Sequence, residues 1–418
     1  MPFRTRTILL AGPLLAAVLQ LSASGPVLRV GTSGDYRPFS ENTPAGYRGF
    51  DIAVAERFAR DTGVAVAWVP FRWPELLEAM KAGRFDVAMS GVTIRPERSI
   101  RGRFTVPVVE TGAVLLVRGA TWRRLEVAPA QALERLDDAD VLLAVNAGGH
   151  LERVTRAHFP SARIRAIPDN RAVRQALAAG EVDAIVSDTL EAPGWLQGLT
   201  DVRLVGPFTR DHKAYWVRAD DAALATRLDA WLMARERDGS LAELRAEWFG
   251  EASVRRTATP LEALLAACDE RLALMASVAE YKRARGVAVV DPEREARVLA
   301  AAWQAVTQAA EQAGGESPPR VDVDRFYRAQ IAAAVAIQHR ILAQPMPPGT
   351  AVFDLAQEIR PALLRIGERM ASLLLLTARD SEPRRSDLHA RVEEALVRHQ
   401  LPAARTRGIA EAIARLSR

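Results

Sequence analysis

Two groups of polar side chains in this chain are of types that could do chemistry. In the first half, Arg98 closes the run Ser90-Gly91-Val92-Thr93-Ile94-Arg95-Pro96-Glu97-Arg98, and its guanidinium fork suits a planar carboxylate held by two parallel hydrogen bonds. Arg95, Arg101 and Arg103 lie close by, and arginines so clustered are often only surface-paired, so residue type leaves both readings open. Asn146-Ala147-Gly148-Gly149-His150 joins a β-rich run to a helical one. Its free N–H groups make an anion site, and turn chemistry accounts equally well for Gly148 and Gly149. Glu191, three residues after Asp188, reads by type as a helix-N-terminal carboxylate that the macrodipole keeps charged. In the second half Arg271, Lys282, Arg294 and Arg369 recur with Gln338 along helical stretches, where cations also commonly line solvated faces. The single cysteine, Cys268, and six scattered histidines offer neither an intramolecular disulfide nor zinc-ligand spacing.

The elements that must position these groups differ between the two halves. From Val27 to about Gly250, short β-rich runs (Val27 to Thr32, Val64 to Val69, Val87 to Ser90, Val141 to Val145, Ile164 to Ile167, Ala184 to Ser187) alternate with helical periods such as Asp51 to Thr62 and Trp73 to Ala82. That alternation predicts an α/β architecture with largely parallel sheets. After Thr257 the strand patterns stop. Thr259-Pro260-Leu261-Glu262 predicts a helix start, with Thr259 as N-cap, Pro260 in the first turn and Glu262 bonding back. Long helical periods then run to the C-terminus, interrupted at Gly286, Gly314-Gly315, Pro318-Pro319 and Pro345 to Gly349.

The length, 418 residues, fits two or three folded units. With 49% hydrophobic and 26% charged residues, wholesale disorder and a polytopic membrane protein are disfavoured. Lys+Arg exceed Asp+Glu by 56 to 51 with no concentrated basic tail, so no nucleic-acid partner is expected. Arg4 and Arg6 precede an apolar run from Ile8 to Leu21 and the small residues Ser22-Ala23-Ser24-Gly25. This is the three-part pattern of a cleaved export signal over 1–25. Export to the periplasm or beyond is expected, with no stable membrane association once the signal is removed, because the run is short of a span and broken by Gly12-Pro13.

Residues 26–252 resemble the periplasmic amino-acid-binding proteins, in Asp35-Tyr36-Arg37-Pro38-Phe39, Gly49-Phe50-Asp51-Ile52 and Arg84 to Arg98. The resemblance implies two α/β lobes closing on a small solute, with Arg98 on its α-carboxylate, Ser90 and Thr93 beside it, and Asp188 toward an amino group. Within that family the cyclohexadienyl dehydratases are most similar, through Trp73-Pro74, Asn146 to Arg153, Pro168-Asp169-Asn170, Ser187-Asp188-Thr189-Leu190-Glu191-Ala192 and Lys213-Ala214-Tyr215. This implies that Glu191 donates a proton to a leaving hydroxyl while a ring carboxylate departs as CO₂. Such a donor must stay protonated through desolvation or a neighbouring negative charge. His150 stands where that pattern has threonine.

After a linker at 253–258, residues 259–418 resemble the exported class of chorismate mutase, an all-α fold. Arg271, Lys282 eleven residues on, Asp291-Pro292-Glu293-Arg294, Gln330 to Gln338, and Arg360-Pro361 with Arg369 fall at its spacing. The resemblance implies that Arg271, Arg294 and Arg369 clamp two carboxylates while Lys282 and Gln338 donate to the ether oxygen on which charge develops. Some relatives carry glutamate at the Gln338 position, and a neutral amide donates without needing low pH. Asp291 is expected to orient a cation. Ala334 stands where a hydroxyl residue often contributes, and the usual disulfide of the class cannot form, which leaves Cys268 as a small buried hydrophobe.

The product of one implied reaction is the substrate of the other. The expectation is a bifunctional exported enzyme of phenylalanine biosynthesis that takes chorismate to prephenate and prephenate to phenylpyruvate, with arogenate as a second dehydratase substrate that the resemblance allows. No metal or organic cofactor is expected. The rival expectation is a transporter's amino-acid receptor fused to a helical docking module. Nothing in the sequence fixes an oligomeric state.

Overall fold

The structure, a computed structural model, describes residues 26–126, 128–250, 255–346, 349–380 and 385–416. The expected export signal and residues 253–254 of the expected linker lie outside them. No helix among the described residues is long and apolar enough to cross a membrane.

The first lobe is built on strands β1 (Val27–Thr32), β2 (Ala65–Pro70), β3 (Val87–Ala88), β4 (Gly102–Phe104) and, after an excursion through the second lobe, β12 (Trp216–Arg218), in the order β2-β1-β3-β12-β4. The second lobe has β6 (Ala113–Arg118), β7 (Leu142–Asn146), β8 (Arg163–Ile167), β9 (Ala184–Asp188) and β10 (Val202–Val205), in the order β8-β7-β9-β6-β10. A ribbon of β5 (Val109–Thr111) against β11 (Asp211–Lys213) connects the lobes. Each sheet is mixed, whereas the alternation predicts largely parallel ones. β1 is parallel to β2 and β3, and β7 is parallel to β8 and β9, but the strands next to a lobe crossing, β6 and β12, pair antiparallel with their neighbours. A chain that leaves a lobe and returns enters its sheet from the opposite end, so it adds an antiparallel strand.

The helices that matter for chemistry are α1 (Pro96–Arg101), α2 (His150–His158), α3 (Asn170–Ala178) and α4 (Ala222–Arg237) in the α/β part. The helical part contains α5 (Pro260–Ala273), α6 (Met275–Arg285), α7 (Pro292–Gln312), α8 (Arg320–Leu342) and α9 (Arg360–Arg379), then α10 (Arg385–Ala395) and α11 (Ala403–Leu416). Thr259 caps α5 by accepting the Glu262 amide at 3.4 Å. The Glu262 carboxylate does not bond back but accepts from both Nε and Nη2 of Arg391 of α10 on Oε1, at 3.1 and 2.7 Å, because a charge-assisted pair outcompetes a neutral backbone donor.

One hydrophobic cluster runs without a break from Val30, Val87 and Trp216 of the first lobe through Leu232 and Leu241 to Leu264, Ile366 and Leu374 of the helical part. The second lobe keeps separate clusters on the two faces of its sheet. The first lobe and the helices therefore form one body, against which the second lobe closes. The chain between them is clamped as well. Ala258 N donates to Glu236 at 3.0 Å, Thr257 Oγ1 donates to the Pro107 carbonyl at 3.0 Å, and the fully buried Arg245–Glu236 pair lies beneath at 2.7 Å. So 255–258 are held rather than loose.

Candidate active sites

The cleft between the lobes is lined by Tyr36, Trp73, Thr93 and Arg98 of the first lobe, by Asn146, Gly149, His150 and Asn170 of the second, and by Lys213 from β11. With the lobes latched, the cavity left in the cleft is about 30 Å³. Arg98 sits in the last turn of α1, started by Pro96, and is almost completely buried. Its Nη1 donates to the Thr93 carbonyl at 3.0 Å, while Nε and Nη2 are enclosed without a partner. Burial, reinforced by Arg95, disfavours its charge. A buried guanidinium with two idle donors is a site short of an anion. The Trp73 ring flanks it at 5.8 Å.

Across the cleft, β9 ends in Ser187 and Asp188, and Glu191 follows just before a short helix. Asp188 Oδ1 accepts the amides of Leu190 (2.9 Å) and Glu191 (3.0 Å), so Asp188 caps that turn. Its other oxygen receives the Tyr36 hydroxyl and lies 3.6 Å from Lys213 Nζ. Glu191 is buried, with Oε1 accepting from Asn170 Nδ2 at 2.6 Å and Oε2 accepting from Ser187 Oγ at 2.7 Å. Burial first, then the Asp188 charge, push its carboxyl well above the ordinary value. Those two effects outweigh the end of a five-residue helix, the feature that favours a charged Glu191. The lobes are latched by Tyr36 to Asp188, by Asn170 Nδ2 to the Asp35 carbonyl (3.3 Å) and by Arg95 to the Gly149 carbonyl (3.2 Å). Asp188 and Glu191 stand directly behind this latch.

In the helical part the polar groups gather at two poles. At one, Arg271 on α5 has Nη1 enclosed without a partner, near Tyr327 of α8, whose hydroxyl is also unpartnered, as are both amide atoms of Gln330. At the other, Lys282 of α6 and Arg294 of α7 each feel the charge of Arg360 of α9. Burial and then Arg360 lower the pKa of Arg294, and burial lowers that of Lys282, against Asp291 and together with Arg360. Lys282 Nζ donates to the Val289 carbonyl at 2.8 Å. Asp291 caps α7 through the Arg294 amide at 2.9 Å, which fixes where Arg294 starts. Gln338 Nε2 donates to the Ala334 carbonyl at 3.2 Å and meets Met275 Sδ at 3.8 Å, leaving Oε1 without a partner. Buried polar atoms left unsatisfied on this scale mark a place built for a polar guest.

Residues 28–251 match the bacterial extracellular solute-binding proteins, family 3. The chain belongs to that family. Residues 262–339 match chorismate mutase type II. The chain is 36% identical over 229 residues to a cyclohexadienyl dehydratase of Pseudomonas aeruginosa, across 53% of this chain and 82% of that one. It is 27% identical over 226 residues to an L-cystine-binding protein of Escherichia coli, with coverage of 53% and 82%. A solved ABC-transporter binding component from Wolinella succinogenes, complexed with lysine, is 26% identical with a TM-score of 0.50 over 53% of this chain and 95% of that one.

Within the solute-binding part, the structure brings Arg98, Thr93, Trp73 and Gly149 to the cleft wall, with Asp188 and Glu191 behind the latch. Ser90 is buried but turned to Ser33, whose hydroxyl lies 2.9 Å away. The Gly148 amide is not free for an anion. It donates to Glu152 at 2.7 Å, and the residue's φ of 72°, with Pro74 Cα 2.7 Å from where a Cβ would stand, accounts for glycine there. His150 lines the cleft with Nε2 2.8 Å from Asp211. Lys213, missed as a site residue although its motif is visible, bonds Tyr36 (3.0 Å) and Thr93 (2.9 Å). In the helical part Lys282 and Arg294 share Arg360 and Asp291 as charged neighbours, Arg271 neighbours Tyr327 and Gln338 bonds Ala334, whereas Arg369 is turned elsewhere. Its guanidinium binds Glu270 and the Phe104 carbonyl at the junction with the first lobe. Nine residues on a helix turn through about 900°, or half a turn net, so Arg360 and Arg369 face opposite ways. Arg360 is the cation of α9 that reaches Lys282 and Arg294.

Proposed function

We propose that the chain is an exported bifunctional enzyme that rearranges chorismate to prephenate in the helical part, over 259–418, and converts prephenate to phenylpyruvate in the two-lobed part, over 26–252. The observation that carries the reading is Glu191: a carboxyl kept protonated by burial beside Asp188, behind the latch of a cleft whose wall holds Arg98 with two idle donors. The similarity to the cyclohexadienyl dehydratase of Pseudomonas aeruginosa and the match to chorismate mutase type II support it.

The lobes must first part at the latch, which separates Tyr36 from Asp188 and uncovers the dyad. Arg98 then takes the side-chain carboxylate of prephenate in its fork. Glu191 gives its proton to the ring hydroxyl as the C–O bond breaks, releasing water. The ring carboxylate leaves as CO₂, and the electron pair of its C–C bond completes the aromatic ring. Glu191, now charged against Asp188, regains a proton from solvent. Lys213, on the ribbon that connects the lobes and 3.6 Å from Asp188 with the lobes latched, offsets the Asp188 charge. In the helical part, the two poles accept the two carboxylates of chorismate, Arg271 at one and Arg294 with Arg360 at the other. Lys282 and Gln338 donate to the ether oxygen as its C–O bond breaks and the new C–C bond forms. Donors preset for charge that develops only in the transition state accelerate the step without covalent help.

Incubating the purified protein with prephenate and following phenylpyruvate absorbance tests the dehydratase half. Turnover is expected. Stoichiometric binding of an amino acid with no product would establish the receptor instead.

A further inference from the structure

Between α4 of the first lobe and α7 and α9 of the helical part lies a cavity of about 560 Å³, within the range of ligand sites and distinct from both sites above. Its apolar wall includes Ala225, Met233, Ala309, Leu373 and Leu376. Three cations and three acids also line it. Arg103 pairs with Glu368 at 3.2 Å, and Arg369 pairs with Glu270. Arg365 and Asp229 remain, on facing helices, with no ion pair between described residues. Arg365 Nη2 donates to the carbonyls of Ser99 (3.1 Å) and Ile100 (2.9 Å), and its Nε is enclosed without a partner. Asp229 Oδ1 accepts the Val106 amide at 2.7 Å. Burial pushes its carboxyl up to about 6, so it holds a proton to offer a ligand oxygen mainly below that pH.

The lining selects a ligand class. One unpaired cation matches one negative charge, and a polyanion would leave charge buried without a partner. The apolar wall and the volume exceed what an inorganic anion fills and suit a ring-sized hydrocarbon body. The anchor also touches the first reaction. Ser99 and Ile100 directly follow Arg98 on α1, and the Ser99 hydroxyl donates to Glu270 at 2.7 Å, so α1 is gripped from the helical part on two sides. We propose that this cavity is a second ligand site, for a monocarboxylate carrying an apolar ring-sized body, with the carboxylate on Arg365 and its occupancy transmitted through α1 to Arg98. The binding claim is independent of the role given to Arg98 above; the effect on prephenate rests on it.

The test uses the full chain and 3-phenylpropanoate as probe, counted by titration calorimetry. An Arg98→Met background removes carboxylate binding in the cleft. In that background the number of equivalents bound should fall by one on adding either Arg365→Met, which removes the anchor, or Ala309→Trp, which fills the space, while chorismate turnover persists. A stoichiometry unchanged by both cavity substitutions, or no binding in the Arg98→Met background, overturns the site. In the unsubstituted protein the probe should change the prephenate KM by about fivefold or more, through a component lost in Arg365→Met. A KM change identical in Arg365→Met overturns the coupling and leaves the site standing.

Discussion

Glu191→Gln isolates the proton from the shape. The amide is nearly isosteric and keeps an oxygen for Asn170 Nδ2, and its NH₂ can donate to the Ser187 hydroxyl, so the 2.6 Å contact survives unchanged and the 2.7 Å contact survives with its direction reversed. What disappears is the transferable proton. A positioned general acid contributes about 10²–10⁴-fold, or about 3–5 kcal/mol of barrier, so prephenate kcat should fall by that factor with KM little changed. Stability gives a second, independent readout. Burial raises the Glu191 pKa above its ordinary 4.5, so ionisation is harder in the folded than in the unfolded chain. The wild type is then unpenalised below pH 4.5 and loses stability as pH rises from there through the folded pKa. The glutamine variant has no such loss, so its Tm should gain on the wild type as pH rises. The assays are phenylpyruvate formation, chorismate loss as the control, and thermal melts from pH 4 to 8. Prephenate kcat within about tenfold of wild type, with chorismate turnover intact, would refute the proton-donor role; loss of both activities would indicate misfolding.

Four further substitutions probe other parts. Arg360→Ala should lower chorismate kcat/KM by about 10- to 100-fold, the scale of one lost charge-assisted contact, whereas Arg369→Ala should spare chorismate turnover and lower Tm through the lost junction with Glu270. Gln338→Glu should make the mutase pH-dependent, with activity rising as pH falls, because a carboxyl donates only when protonated; a flat profile would remove Gln338 from the ether oxygen. Glu236→Gln should destabilise the chain by about 3–5 kcal/mol in denaturant melts, since it leaves Arg245 buried without its counter-charge and weakens the hold on Ala258.

The two-part architecture was legible because hydrophobic period is local: β-rich runs alternate with helical periods up to about residue 257, and beyond it only helical periods remain. The mixed character of the sheets was not, since the pairing of β6 and β12 depends on where the chain crosses between lobes, which no local window records. Arg98 and the Asp188–Glu191 step were readable as motifs. Whether Glu191 is charged was not, because helix-end position and burial act in opposite directions and only the packed structure shows which is larger. Gly148 misled because a glycine required by φ and by contact with Pro74 looks the same in sequence as one that bares its amide to an anion. Arg369 misled for a simpler reason: nine-residue spacing on a helix reverses the face, so Arg360 and Arg369 could not serve the same site. That reversal also explains the junction, where the far face of α9 supplies Arg365 and Arg369 to grip the first lobe.

The central claim is that one chain carries two consecutive reactions, and a single incubation tests it. Purified protein given chorismate alone, with no second enzyme present, should accumulate phenylpyruvate, with prephenate passing through as an intermediate. Recovery of chorismate unchanged, or its arrest as prephenate, would contradict the account.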